Sequence, residues 1–281
     1  MTSRPILAAW IILSVVSVAL GQHTSSQSPE PQANEPVIPD DRESFHLFLL
    51  AGQSNMAGRG KVEAFDSEID PRIFTLNKEL EWVPAADPIH FDKPRVVGVG
   101  LGKTFAKEYV DAHPGVVVGL IPCAAGGSPI ASWQPGGYHS QTKSHPYDDA
   151  ITRTNAALKF GVLKGILWHQ GESDSKKSLA DEYETKLHEL IQRFRTELRA
   201  DNVPFIAGQL GQFEERPWSP ERHQVNAVHE SLPEKMAGTG FVRSDGLSHR
   251  GDQVHFDSAS YRELGRRYFD VFKSVTESRE K

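Results

Sequence analysis

A chain of 281 residues, 38% hydrophobic and 24% charged, has ordinary globular composition and is long enough for one or two domains. Its formal charge of −6 is spread over interspersed acids and bases. No basic stripe exists to neutralise a phosphate backbone, which argues against nucleic acid as a partner.

The N-terminus has the pattern of an export signal. Arg4 supplies a short positive region, Ile6 to Leu20 is almost wholly apolar, and Ala19 and Gly21 suit a cleavage before Gln22. The apolar run is shorter than the roughly 20 residues of a membrane helix, so residues 1–21 are read as a signal peptide, with an uncleaved anchor as the alternative. Either way the catalytic part is expected outside the cytoplasm, periplasmic or extracellular, with no stable membrane insertion after cleavage. Residues 22–42 are rich in Ser, Pro, Gln and acids without apolar periodicity, the composition of a disordered tether. One domain is expected from residue 43 to the end, 43–281.

Within that domain apolar runs alternate with helical patterns. FHLFLLAG (45–52), VVVGLIP (116–122), VLKGILW (162–168) and VPFIAGQL (203–210) read as strands covered on both faces, and TGFVRS (239–244) as a shorter last one. Residues 72–83 look like an inserted hairpin outside this alternation. Leu101, Phe105 and Tyr109 mark one helix. Tyr183, Leu187, Leu190, Ile191, Phe194 and Leu198 mark another, with Ser178 and Asp181 as a capping box. Tyr261, Leu264, Tyr268 and Phe272 mark the last, with Ser258 as N-cap. Such alternation predicts an α/β fold, a three-layer sandwich around a mainly parallel sheet of about five strands. The lone cysteine, Cys123, allows no internal disulfide and ends an apolar run, so it is read as a small buried hydrophobe.

In such a sheet ligands bind beyond the carboxyl ends of the strands, and the polar clusters fall there. The first strand runs into GQSNM (52–56), which presents Ser54 at a sharp turn beside free backbone N–H groups. The second ends in CAAGGSPIASW (123–133), where Gly126 and Gly127 expose backbone N–H groups. The third ends in WHQGESD (168–174), which offers Gln170 and Glu172, with His169 read as structural. Before the final helix, GDQVHFD (251–257) spaces Asp252 and His255 three apart, so one turn sets the carboxylate beside the imidazole. Trp133 and Trp168 read equally as a stacking wall for a sugar ring or as core. Twelve histidines include no H-E-x-x-H or similar ligand spacing, so neither metal nor cofactor is expected.

In this order, GQSNM, LIPCAAGGSPIASW, ILWHQGESD and DQVHF resemble the blocks of the SGNH hydrolases, and of the sialate O-acetylesterase and acetylxylan esterase group in particular. The resemblance implies a flavodoxin-like fold and a metal-free serine esterase that takes acetyl groups from an acetylated carbohydrate, whether acetylated xylan or sialic-acid-type glycans. It implies Ser54 as nucleophile, His255 as base and Asp252 as its partner. Ser54 and Gly126 N–H groups and the Gln170 side chain would form the oxyanion hole; Gln170 replaces the asparagine that many SGNH enzymes carry in the third block. It also lets Glu172 contact the histidine, so the acid is either Asp252 or Glu172. Gln53, Asn55 and Trp133 are candidates for substrate binding. The alternatives are a non-catalytic carbohydrate-binding protein on the same fold, which fold alone never excludes, and an esterase for other small acyl esters.

Overall fold

The computed structural model describes Met1 and residues 37–280. Apart from Met1, the segment expected to be a signal peptide and residues 22–36 of the expected tether lie outside the described residues. The tether's last residues belong to the domain. Ile38 packs against the core, and Arg42 donates to the carbonyls of Leu158 (2.6 Å) and Gly161 (3.3 Å). Ile38 and Arg42 thus pack onto the domain expected from residue 43.

The first strand, β1 (Phe45–Gly52), sits at the centre of a seven-stranded sheet of order β3-β2-β4-β1-β5-β6-β7. Its neighbours are β4 (Val117–Pro122) and β5 (Val162–His169), followed outward by β6 (Phe205–Gly208) and β7 (Thr239–Val242). Every pairing among these five is parallel. Alternate residues of β1 enter opposite cores. Phe45, Leu47 and Leu49 join one cluster, Phe48 and Leu50 the other. Both faces are thus covered, which is why the strand reads as a continuous apolar run.

On one face lie α2 (Gly102–Ala112) and α6 (Ser258–Glu280). On the other lie α3 (Pro146–Ala157), α4 (Lys177–Glu197) and α5 (Pro220–Lys235). The result is the expected three-layer α/β/α sandwich. Two local expectations fail. Helix α4 starts at Lys177 without a side-chain cap, and Asp181 instead accepts from Gln224 (3.1 Å). At the start of α6, Asp257 accepts from the Ser260 N–H (2.8 Å), while Ser258 donates to the Lys61 carbonyl (2.7 Å).

The sheet is also wider than the expected five strands. β2 (Ile73–Leu76) and β3 (Trp82–Pro84) do form an antiparallel hairpin, but β2 pairs in parallel with β4 and joins the sheet. All four β2 residues are buried, so the segment is structural sheet rather than an insertion. Cys123 is free and buried, and burial pushes its thiol up to about 12.

Between β3 and α2, Asp87 is buried with its Oδ1 unpartnered among the described residues. Burial pushes this carboxyl from 3.8 up to about 7, only partly opposed by Lys103. Between about pH 4 and 7 the unfolded chain therefore gives up a proton that the fold retains, and stability falls as pH rises through that window. Asp87→Asn should accordingly raise the Tm at pH 8, with a gain that shrinks toward pH 4; thermal melts across that range check it. Removal of residues 1–42 should lower the Tm relative to a chain starting at residue 37, by about 2–4 °C for each kcal/mol of lost contacts. Equal melting of the two chains would show that Ile38 and Arg42 contribute nothing.

Candidate active site

Where β1 ends, Gly52 has φ +137° and lies so close to β5 that a Cβ would stand 2.2 Å from the His169 carbonyl oxygen. Only glycine fits this approach. The Gln53 N–H donates to that carbonyl (2.9 Å), and the chain turns at once into the short helix α1 (Ser54–Ala57). Ser54 thus stands at the carboxyl edge of the sheet, beside its central strand.

The Ser54 Oγ lies 2.9 Å from His255 Nε2, although 201 residues separate them in sequence. On the other side of the ring, His255 Nδ1 lies 2.7 Å from Asp252 Oδ2. Proton on Nδ1 and lone pair on Nε2 is the arrangement in which both contacts are hydrogen bonds. Asp252 is fixed in turn, because its Oδ1 accepts the N–H groups of Val254 (3.0 Å) and His255 (2.8 Å). Burial works to raise this carboxyl, but those N–H bonds and the imidazole outweigh it and hold it below its usual value. It therefore stays ionised around neutral pH.

Glu172 is engaged elsewhere. Its Oε1 accepts from Asn55 Nδ2 at 2.5 Å, and no bond joins it to His255 among the described residues. Asn55, expected to bind substrate, is completely buried. Its amide also donates to the Val254 carbonyl (3.1 Å), and its Oδ1 accepts from the Tyr261 hydroxyl (2.7 Å). Asn55 is a fastener between the serine turn, the β5 end and the histidine turn, and Glu172 is part of that fastener.

Two further candidates are corrected by burial. Trp133 is fully buried, donates to Ser128 Oγ (2.9 Å) and packs edge-on against Trp168 with centroids 5.0 Å apart. Both indoles are core, not a wall for a sugar. Gln170 is also fully buried. Its amide donates to Asp174 Oδ2 (2.5 Å) and the Ser128 carbonyl (3.0 Å), and its Oε1 accepts from the Tyr183 hydroxyl (2.9 Å). With these bonds made, it has no donor free for an oxyanion. Asp174 also accepts the Ile130 N–H (2.9 Å), and burial pushes its carboxyl up to about 6. Gln53 is nearly buried; its Oε1 accepts weakly from the Ser173 N–H (3.3 Å). His169 is structural as expected, with Nδ1 3.1 Å from the Tyr268 hydroxyl and burial pulling it down to about 4.

The Gly126 N–H is occupied as well: it donates to Asp92 Oδ2 at 2.8 Å. That carboxylate forms a buried ion pair with Arg59, 2.6 Å away, and the Arg59 carbonyl accepts from Arg250 Nη1 (2.6 Å). One ion pair therefore links the serine segment, the glycine loop and the histidine turn. The N–H groups of Ser54 and Gly127 carry no hydrogen bond among the described residues. His249 completes the support, its Nδ1 accepting the N–H groups of Gly251 (2.9 Å) and Gln253 (3.3 Å) on either side of Asp252. Sequence reasoning missed Arg59, Asp92, Tyr261 and His249. A lone charged or aromatic residue outside the four motif blocks carries no local signal of such a role.

The profile of the family described as carbohydrate esterase, sialic acid-specific acetylesterase, matches residues 44–274. A probable carbohydrate esterase of Arabidopsis thaliana is 30% identical over 257 residues, covering 84% of this chain and 91% of that protein. The X-ray structure of an Arabidopsis thaliana protein superposes with TM-score 0.71 at 29% identity, over 82% of this chain and 98% of that one. The crystal structure of NanS has the same fold, with TM-score 0.70 at 18% identity over 86% of this chain and 99% of the other. A family match across this span, on a fold that presents its polar clusters at one sheet edge, makes the chain a member of the sialic acid-specific acetylesterase family of carbohydrate esterases, and so a carboxylic ester hydrolase.

Proposed function

We propose that the protein removes O-acetyl groups from carbohydrate through an acyl-enzyme on Ser54. The observation that carries this reading is the unbroken line from Ser54 Oγ through the His255 imidazole to the Asp252 carboxylate, at 2.9 and 2.7 Å. Ser54 Oγ attacks the acetyl carbonyl while His255 Nε2 takes its proton. The same nitrogen then protonates the departing sugar oxygen, leaving acetyl on the serine. Water, deprotonated by His255, attacks that ester, releases acetate and returns the proton to Ser54. Asp252 keeps the useful tautomer and stabilises the imidazolium. The Ser54 N–H is one oxyanion donor, and Gly127 supplies the second, since Gly126 and Gln170 are committed to other partners. The family description supports acetyl as the acyl group.

An organophosphonate probe should label Ser54. Ser54→Ala should abolish labelling and lower kcat/KM for an acetyl ester by about a thousandfold or more. Continued labelling of that variant would remove the nucleophile assignment. The two carboxylates separate by kinetics on a small acetyl ester. Asp252→Asn should lower kcat by about 10²–10⁴, whereas Glu172→Gln, which can still accept from Asn55, should stay within about tenfold. The reverse ranking would make Glu172 the triad acid.

A further inference from the structure

A cleft of about 910 Å³ opens beyond the carboxyl ends of β6 and β7, between residues 212–218 and 245–249. That volume lies within the roughly 300–1,000 Å³ of small-molecule sites. It occupies the same edge of the sheet as Ser54 and shares a loop with the triad. His249 lines the cleft, binds the backbone on both sides of Asp252, and bridges to Phe256, next to His255.

The aromatic wall of the cleft is Trp218, half-buried and anchored. Its Nε1 donates to the Gly211 carbonyl (2.9 Å), the Arg222 guanidinium stands 5.9 Å from the ring centroid, and His223 packs edge-on at 5.2 Å. The charged groups lining the cleft are Glu214, Glu215 and Asp245, and no Lys or Arg lines it among the described residues. Glu215 faces His249 Nε2 at 3.4 Å, and Asp245 pairs with Arg243 at 2.5 Å. Glu214 has neither a salt bridge nor a side-chain hydrogen bond among the described residues. An aromatic face set beside acceptor-only side chains suits a ring with C–H groups on its face and hydroxyls at its rim. Carboxylates without a lining cation disfavour a ring that carries its own negative charge.

We propose that this cleft is a subsite for an uncharged sugar ring, the unacylated neighbour of the acetylated residue in an oligosaccharide, with Trp218 as its stacking face and Glu214 as a hydroxyl acceptor. The proposal rests on the esterase reading above and extends it from a single acetylated sugar to a chain. The site at Ser54 takes the acyl group, while this cleft selects what the acetylated residue is attached to.

Binding of unacetylated sugars to the intact enzyme tests this without turnover. Calorimetric titration with xylotetraose, cellotetraose and the anionic sialyllactose should show saturable binding of at least one neutral probe, about tenfold or more tighter than sialyllactose. Trp218→Ala should weaken neutral-sugar binding about tenfold or more, and Trp218→Phe should restore most of it. Should Trp218→Ala fail to fold, Glu214→Gln decides, with an expected loss of several-fold. Absence of binding by both neutral probes overturns the proposal. So does tighter binding of sialyllactose, or unchanged binding in well-folded Trp218→Ala or, failing that, in Glu214→Gln. Failure of the esterase reading would appear separately, as phosphonate labelling that survives Ser54→Ala.

Discussion

One residue beyond Ser54, the Asn55 side chain spends both ends of its amide on holding the site together. Its donors reach Glu172 and the Val254 carbonyl, and its oxygen takes the Tyr261 hydroxyl. Two segments remote in sequence, the β5 end and the histidine turn that leads into α6, are thereby set to a common register with the serine. The 2.9 Å contact between Ser54 and His255 depends on this register, because β1 fixes the serine while the histidine rides on a turn with no strand of its own. In the proposed mechanism, a displacement of 1 Å in that turn would undo the alignment on which proton transfer depends. Burial of the Asn55 side chain strengthens these bonds by limiting water's access to them.

The Arg59–Asp92 pair performs a related task with charge. Both side chains are almost fully removed from solvent, and such a pair recovers its desolvation cost only when the remaining donors and acceptors are satisfied. Here two further bonds support the pair, from Arg59 Nη1 to the Gly58 carbonyl (2.7 Å) and from the Gly126 N–H to Asp92 (2.8 Å). The pair is thus a positional device. It pins the glycine loop to the segment that follows Ser54, and Arg250 ties the histidine turn to the same point.

Much of this architecture was legible in the sequence. The five parallel strands stood out because burial on both faces writes them as unbroken apolar runs. Helices α2, α4 and α6 stood out because each buries a stripe dominated by apolar and aromatic residues. Helices α3 and α5 did not, since their buried faces include Arg153 and Thr154, and Arg222, Asn226 and His229. Arg153, Arg222 and Asn226 bond inward to strand ends and loops, as Asn226 does with the Leu210 N–H (3.1 Å), and such buried polar positions erase the hydrophobic period. Residues 72–83 were readable as a hairpin, but nothing in their own pattern shows that β2 also pairs with β4 and so joins the sheet. Within the site, Ser54, His255 and Asp252 were readable from block order and spacing. Trp133, Asn55 and Gln170 were assigned toward substrate or oxyanion, because residue type does not reveal which way a side chain at a strand end will point. Burial decides that, and burial is a property of the assembled layers.

The central strand β1 carries the serine early in the chain, whereas its two sheet neighbours and the histidine turn come much later. With β1 flanked by β4 and β5, the sheet cannot grow outward from one edge as the polypeptide emerges. Folding must wait for long-range pairing, which places such a topology among the slower ones. In the proposed mechanism, chemical competence is likewise withheld until the turn that carries His255 is in place. A partly synthesised chain holds a serine without a base, an ordinary alcohol that threatens no ester it meets. Order of synthesis thus acts as a safety catch, released when α6 docks and brings His255 within reach of Ser54.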